Sequence, residues 1–174
     1  SNSTIISYIN ALKQIFVIED AAAWNPNLRS KTAIRTTETR YFVDPSIAAA
    51  AMGLNPQDLL FDPKTMGFFF ENLAVRDLRI YADALDGKVE HYRDKNNLEC
   101  DIVVRLSNGR FGLMEVKLGS DDGIKEGVSS LTTLTERLAD NHSPAFRAVI
   151  TATGPYAYQR LDGIYILPLS CLRP

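Results

Sequence analysis

Three ionisable residues stand in an otherwise apolar stretch, at a spacing that could bring them into one reactive site. Asp101 lies near the start of a run over residues 98–106, and Glu115 and Lys117 close a second run over residues 110–117. Both runs are rich in β-branched and apolar residues and are joined at an Asn-Gly pair, which predicts a β-hairpin. Because side chains alternate along a strand, Glu115 and Lys117 should share one face.

The connection between the two strands decides whether Asp101 joins that face. A two-residue Asn-Gly loop would set Asp101 opposite Val116, on the wrong face. A three-residue loop over residues 107–109, with Gly109 at positive φ as a bulge, would set Asp101 directly opposite Glu115. We predict the three-residue loop, because it turns three scattered charges into one site.

Two carboxylates that face each other across a hairpin repel unless a cation lies between them. Carboxylate oxygens with room for water suit Mg²⁺ or Mn²⁺, so Asp101 and Glu115 are the predicted metal ligands. Lys117 could offset charge on a phosphate or position a water for attack. Taken alone, the motif also fits an exposed strand with an ion pair between Glu115 and Lys117, since Glu-x-Lys is common there.

An aspartate followed by Glu-x-Lys on a hairpin resembles the PD-(D/E)xK nuclease superfamily. In that superfamily the acidic pair binds a metal and the lysine assists hydrolysis of a phosphodiester. The helix before the sheet often supplies another acid, and Glu71 stands at the matching position of this sequence. The residues to which the resemblance assigns catalytic roles are Glu71, Asp101, Glu115 and Lys117.

The apolar pattern predicts the elements that would position this hairpin. A long helix should run from about residue 62 to 85, followed by a strand over 88–93 and then the hairpin. A second helix should cover 123–138, and two further strands 146–151 and 164–167. The order α-β-β-β-α-β-β predicts an α/β fold with a mixed sheet flanked by helices. It matches the restriction-endonuclease-like core that the resemblance implies.

The first part of the chain shows a different pattern. A helix capped by Ser3 should carry Phe16 on its apolar face, and a short strand should cover residues 16–18. A basic stretch then leads into a strand over 41–43. A helix before a basic two-stranded wing indicates the back half of a winged helix, or else only a small hairpin with a solvated face. The residues predicted to contact phosphates are Lys31, Arg35 and Arg40.

These patterns divide the chain into a partial winged-helix-like or linking segment, residues 1–60, and a nuclease-like domain, residues 61–174. A more specific resemblance rests on segments 22–29, 40–45, 70–74, 92–94, 99–103 and 115–119. In this order they resemble a domain of unknown function found at the C-terminus of prokaryotic AAA-type ATPases. The resemblance implies that an N-terminal ATPase module, with the rest of the winged helix, belongs to the same full-length chain.

Composition and charge limit the classes of protein to which this chain can belong. The 174 residues, 45% hydrophobic and 23% charged, are ordinary for a soluble globular chain. The net charge of −2 gives no general basic field, so any contact with nucleic acid must be local. Cys100 and Cys171 do not indicate a disulfide framework, and we find neither a signal peptide nor a run of transmembrane length. We therefore expect a cytoplasmic location without membrane attachment.

Two functions stay open from the sequence. In the first, the domain is a Mg²⁺- or Mn²⁺-dependent phosphodiesterase that acts on nucleic acid. In the second, it is a catalytically inactive nuclease-fold module that serves DNA binding or protein interaction for the ATPase, and the charged cluster is a structural network. Glu99, on the same face as Asp101, suits either function, as an added metal ligand or as a partner of a lysine.

Overall fold

The computed structural model describes residues 2–26, 37–138 and 143–173. The helices are α1 (Asn2–Gln14), α2 (Pro45–Met52), α3 (Pro56–Phe61), α4 (Pro63–Asp83) and α5 (Asp121–Leu138). The strands are β1 (Ile18–Ala21), β2 (Thr39–Phe42), β3 (Gly87–Arg93), β4 (Glu99–Leu106), β5 (Phe111–Lys117), β6 (Phe146–Thr151), β7 (Tyr158–Gln159) and β8 (Tyr165–Pro168). A single 3-10 turn, Leu169–Cys171, follows β8 in these residues. None of the helices described is long and apolar enough to span a bilayer.

Six of these strands form one mixed sheet in the order β3-β4-β5-β6-β8-β7. The neighbours β5 and β6, and β6 and β8, run parallel, whereas the other pairs are antiparallel. A parallel pair needs a crossover connection, and α5 provides it between β5 and β6. The predicted α/β class and mixed sheet are thereby confirmed, with the short β7 as an addition to the predicted order.

Apolar side chains cover both faces of this sheet. On the α4 face, Val75 and Leu78 belong to the same cluster as Ile102, Met114 and Ile150. A second cluster on the α5 face includes the buried residues Val103, Leu113, Leu131, Leu134 and Val149. Burying one such side chain contributes roughly 1.5–3 kcal/mol. The two layers therefore fix the strands firmly, and the polar residues at one end of the sheet are positioned by them.

The turn between β4 and β5 has the predicted three-residue form. Gly109 has a φ of +83°, and its N–H is donated to the carbonyl of Leu106 over 3.0 Å. The N–H of Leu106 is in turn donated to the carbonyl of Arg110 over 2.9 Å. In the resulting register Ile102 pairs with Met114, which directs Asp101 toward Glu115. The predicted hairpin geometry is confirmed.

Proline and short polar caps decide where the central helices begin. Asp44 accepts the N–H of Ser46 over 2.8 Å, and α2 ends at Gly53, which has a φ of +66°. Asp62 caps α4 in the same way by accepting the N–H of Thr65. In both helices a proline follows the capping residue, where its missing N–H costs no hydrogen bond.

The prediction for the end of α1 is wrong. The helix stops at Gln14, and Phe16, which should have extended its apolar face, has a φ of +56° and is 79% exposed. The N–H of Val17 is donated back to the carbonyl of Leu12 over 2.9 Å, so the chain leaves the helix through a left-handed residue. The following strand, β1, consequently begins at Ile18 rather than at Phe16.

The two-stranded sheet of β1 and β2 is anchored on α4. The side-chain amide of Asn72 accepts the N–H of Phe42 over 2.9 Å and donates to its carbonyl over 2.7 Å. Arg79, also on α4, forms an ion pair with Glu19 on β1. These contacts attach β1 and β2 to the helix that carries Glu71, so the first segment of the chain borders the predicted site.

Replacing Asn72 with alanine tests this attachment. Asn72 is buried, and its loss leaves the N–H and C=O of Phe42 without their side-chain partner. A buried donor or acceptor that loses its hydrogen-bond partner costs about 1–3 kcal/mol. We therefore expect Asn72→Ala to lower the free energy of unfolding by that amount. Chemical denaturation measures this difference. The exposed Asn96→Ala is the control, and equal stabilities of the two variants would contradict the inferred anchoring.

Candidate functional site

The structure brings Glu71, Asp101, Glu115 and Lys117 together at one end of the sheet. Asp101 and Glu115 lie next to the paired Ile102 and Met114 on neighbouring strands, close enough for the charge of Asp101 to act on Glu115. The Nζ atom of Lys117 lies 3.3 Å from Oε2 of Glu115. Glu71, on α4, is close enough to Asp101 and Lys117 for both charges to act on it. The side chains that the sequence predicts to form one site are therefore neighbours.

Asp101 occupies the point at which β4 and β5 end their pairing. The last paired residues of the ladder are Ile102 and Met114. Beyond them, Oδ2 of Asp101 accepts the N–H of Val116 over 2.8 Å. Burial raises the pKa of Asp101, although this hydrogen bond and the charge of Lys117 oppose the increase. The carboxyl group thus sits between the two strands, oriented by a backbone donor.

Glu115 is the most deeply buried acid of the site, with 4% of its surface exposed. Ser130, on α5, donates to its Oε1 atom over 3.1 Å, and Lys117 lies beside Oε2. Burial, and then the negative charge of Asp101, raise the pKa of Glu115 to about 8. This environment therefore favours the protonated form of Glu115 at neutral pH.

Gly127 explains how α5 covers Glu115 so closely. A Cβ atom at this position would lie 3.3 Å from Cβ of Glu115 and 3.2 Å from Cγ2 of Val149. Such contacts are tighter than ordinary van der Waals packing, so a larger residue would force the helix away from the strand. The glycine allows α5 to exclude water from Glu115 and brings Ser130 within hydrogen-bonding distance.

Glu71 is held by a residue from the first part of the chain. The hydroxyl of Tyr41, on β2, donates to Oε1 of Glu71 over 2.7 Å. Burial and the charge of Asp101 raise the pKa of Glu71. The pKa of Tyr41 is also raised, first by burial and then by the charge of Glu71, so its hydroxyl remains a donor.

Sequence reasoning missed two contributors to the site, Tyr41 and Ser130. A signal for Ser130 exists, because it lies three residues after Gly127 and four before Leu134, on the side of α5 that packs against the sheet. The link from Tyr41 to Glu71 joins residues 30 apart and depends on how β2 docks on α4. Glu99 pairs with Arg93 over 2.9 Å, and its charge also acts on Asp101 and Glu71.

The predicted phosphate contacts remain a prediction. Lys31 and Arg35 lie outside the described residues. Arg40 lies on β2, where its Nε atom is 3.2 Å from Oδ1 of Asp20. Its side chain is 44% exposed.

The described part of the chain contains no group of three or more His, Cys, Asp or Glu residues arranged to hold a metal ion. The Asp101 and Glu115 pair offers two carboxylates. Mg²⁺ commonly uses one or two protein carboxylates and keeps several waters, so such a pair is a sufficient donor set in principle.

The fold and the side chains define an α/β domain with a buried acidic site at one end of a mixed sheet. A family model described as a domain of unknown function, DUF4143, matches residues 66–172. This match covers more than half of the sequence, so the chain belongs to the DUF4143 family. A second model, the domain of unknown function DUF8612, matches residues 1–58. Neither the curated proteins nor the solved structures yield a match.

The raised pKa of Glu115 predicts an unusual dependence of stability on pH. The folded protein holds this proton up to about pH 8, whereas an unperturbed glutamate loses it near 4.5. Between these values the folded state binds more protons, so the free energy of unfolding falls as pH rises, by at most about 1.4 kcal/mol per pH unit. Thermal unfolding in EDTA from pH 5 to 8 measures the slope.

The variant Glu115→Gln should remove most of this decline, because its amide does not titrate. Glu136→Gln changes an exposed glutamate of the same helix as Ser130 and is the matched control. A wild-type protein whose stability is constant or rises over this range, relative to Glu115→Gln, would disprove the assignment of the proton to Glu115.

Proposed function

We propose that this chain is a metal-dependent phosphodiesterase domain that acts on nucleic acid, with a restriction-endonuclease-like core. The observation that carries the proposal is the position of Asp101 beside Glu115, with Lys117 at the end of the same strand. The resemblance of the chain to a C-terminal domain of prokaryotic AAA-type ATPases supports an ATPase module as its partner within a longer chain.

The acidic pair fits a hard divalent cation. The two carboxyl groups have raised pKa values, and the negative charge of Asp101 repels an ionised Glu115. A cation relieves the same repulsion, and an all-oxygen donor set is suited to Mg²⁺ or Mn²⁺. Asp101 and Glu115 would hold the ion, with Glu71 as an acid in the outer shell. When bound, the ion would polarise the phosphodiester and acidify a water.

Lys117 acts as a cation in this proposal, and not as a base. Burial alone would lower the pKa of its ammonium group, but the charges of Glu115 and Asp101 outweigh burial and raise the pKa. The group therefore stays protonated and can donate to a phosphate oxygen or orient a water. Ser130 and Tyr41 hold the carboxyl groups of Glu115 and Glu71 in fixed positions.

One observation favours the alternative of an inactive module. Lys117, Ser130 and the N–H of Val116 already satisfy the acidic pair without a further ligand. A network closed in this way could stabilise a docking domain without any chemistry. Metal binding separates the two functions, because only the catalytic one requires a cation to enter.

Titration with Mn²⁺, followed by electron paramagnetic resonance, tests the metal site directly. We expect the wild type to bind the ion, and Asp101→Asn and Glu115→Gln each to weaken binding at least about tenfold, since each removes one of two charged ligands. The exposed Asp121→Asn is the control. If millimolar Mn²⁺ fails to bind, or binds equally to every variant, the inactive module is favoured.

Cleavage of supercoiled plasmid and of a labelled single strand with Mg²⁺ tests the chemistry. Lys117→Ala should slow cleavage about 10²-fold or more, the usual loss when one donor to a developing charge is removed. Lys125→Ala is a matched control, because Lys125 is exposed and likewise pairs with a carboxylate, that of Asp122. Cleavage that survives Lys117→Ala and Glu115→Ala would come from another site or a contaminant.

A further inference from the structure

A cavity of about 350 Å³ lies next to the candidate site, between β2, α2 and the first turns of α4. Its walls are largely apolar and aromatic. Four apolar side chains of the wall are Phe42, Met52, Phe68 and Phe69, and two charged ones are Arg40 and Glu71. The volume falls in the range of about 300–1,000 Å³ that is typical of ligand sites.

Part of the apolar wall of this cavity lies outside the folded core. Phe68 and Met52 are each 63% exposed, and neither belongs to the two apolar clusters that cover the sheet. Their contiguity with Phe69 and Phe42 distinguishes them from isolated exposed residues, which need no explanation. An aromatic surface of this kind can stack a flat partner.

Glu71 connects the cavity to the acidic site. It lines the cavity, and it is also close enough to Asp101 to experience its charge. A ligand in the cavity would therefore carry an attached group toward Asp101 and Glu115. Arg40, at the wall, keeps guanidinium donors available beyond its bond to Asp20 and suits a phosphate. A flat ring whose face can stack on aromatic side chains, joined to a phosphate, describes a nucleotide.

We propose that this cavity binds an unpaired base of single-stranded nucleic acid and thereby places the adjoining phosphodiester at the acidic site. This inference rests on the proposed function, since it names the substrate of that site. A base in a duplex is paired and stacked, and it would have to be unstacked before it could enter. The site should consequently prefer single strands, held by aromatic stacking that tolerates any base.

Fluorescence anisotropy with a labelled 15-nucleotide thymidine oligomer tests the proposal, with Ca²⁺ in place of Mg²⁺. Phe68→Ala should weaken binding about five- to hundredfold, the usual effect of losing one stacked base. Phe68→Tyr keeps the ring and should bind as the wild type does. Phe61→Ala is the matched control, because Phe61 is 86% exposed and does not line the cavity.

A fully abasic oligomer of the same length separates base binding from phosphate binding. The wild type should bind it about as weakly as Phe68→Ala binds the thymidine oligomer, and Phe68→Ala should cause no further loss on it. Equal weakening of both oligomers would overturn the proposal, as would a duplex that binds as tightly as the single strand.

These results are independent of those on hydrolysis. If plasmid is cleaved but Phe68→Ala binds single strands like the wild type, the inference about the cavity fails and the proposed function survives. If binding depends on Phe68 while no cleavage occurs with Mg²⁺, the base site is supported and the proposed hydrolysis is overturned.

Discussion

The central constraint in this molecule is the enforced proximity of two acids in a region that excludes water. Asp101 and Glu115 lie side by side at the point where the pairing of β4 and β5 ends. Their repulsion opposes folding, yet neither side chain can move away, because apolar packing on both faces of the sheet fixes the two strands. The close approach of α5 at Gly127 then seals Glu115 from solvent. Burial and like charge both raise the free energy of the ionised pair, and the positions of β4, β5 and α5 fix both.

Other carboxylates of the same chain behave in the opposite way, which bears on how this pair is interpreted. Asp44 accepts hydrogen bonds from Ser46 and Arg76, and Asp162 pairs with Arg160; in both cases these partners lower the pKa. Those are the signatures of structural caps and ion pairs. At the candidate site the available donors fail to offset burial and like charge, so the pKa of Glu115 rises instead. Acidic groups whose pKa is raised by burial and like charge are more typical of functional sites than of stabilising networks.

The sequence predicts the sheet and the hairpin well because their signals are local. Gly109 allows the positive φ that sets the register, and a proline after Asp62 marks the start of α4. Phe16 was assigned wrongly because apolar periodicity continues past the point where the backbone reverses. The bond from Tyr41 to Glu71 could not be predicted at all, since it depends on the docking of β2 through Asn72, a tertiary contact with no local pattern.

That docking also determines how the site is composed. Residues 66–172 carry the four acidic and basic side chains, but Tyr41 and much of the cavity wall come from the region matched over residues 1–58. Burial is the largest cause of the raised pKa of Glu71, and β2 contributes directly to that burial through Tyr41. Tyr41 also acts in the opposite direction, because its hydrogen bond favours the ionised carboxylate of Glu71 whereas burial disfavours it. The electrostatic state of the site is therefore a property of both regions packed together, and not of the sheet alone.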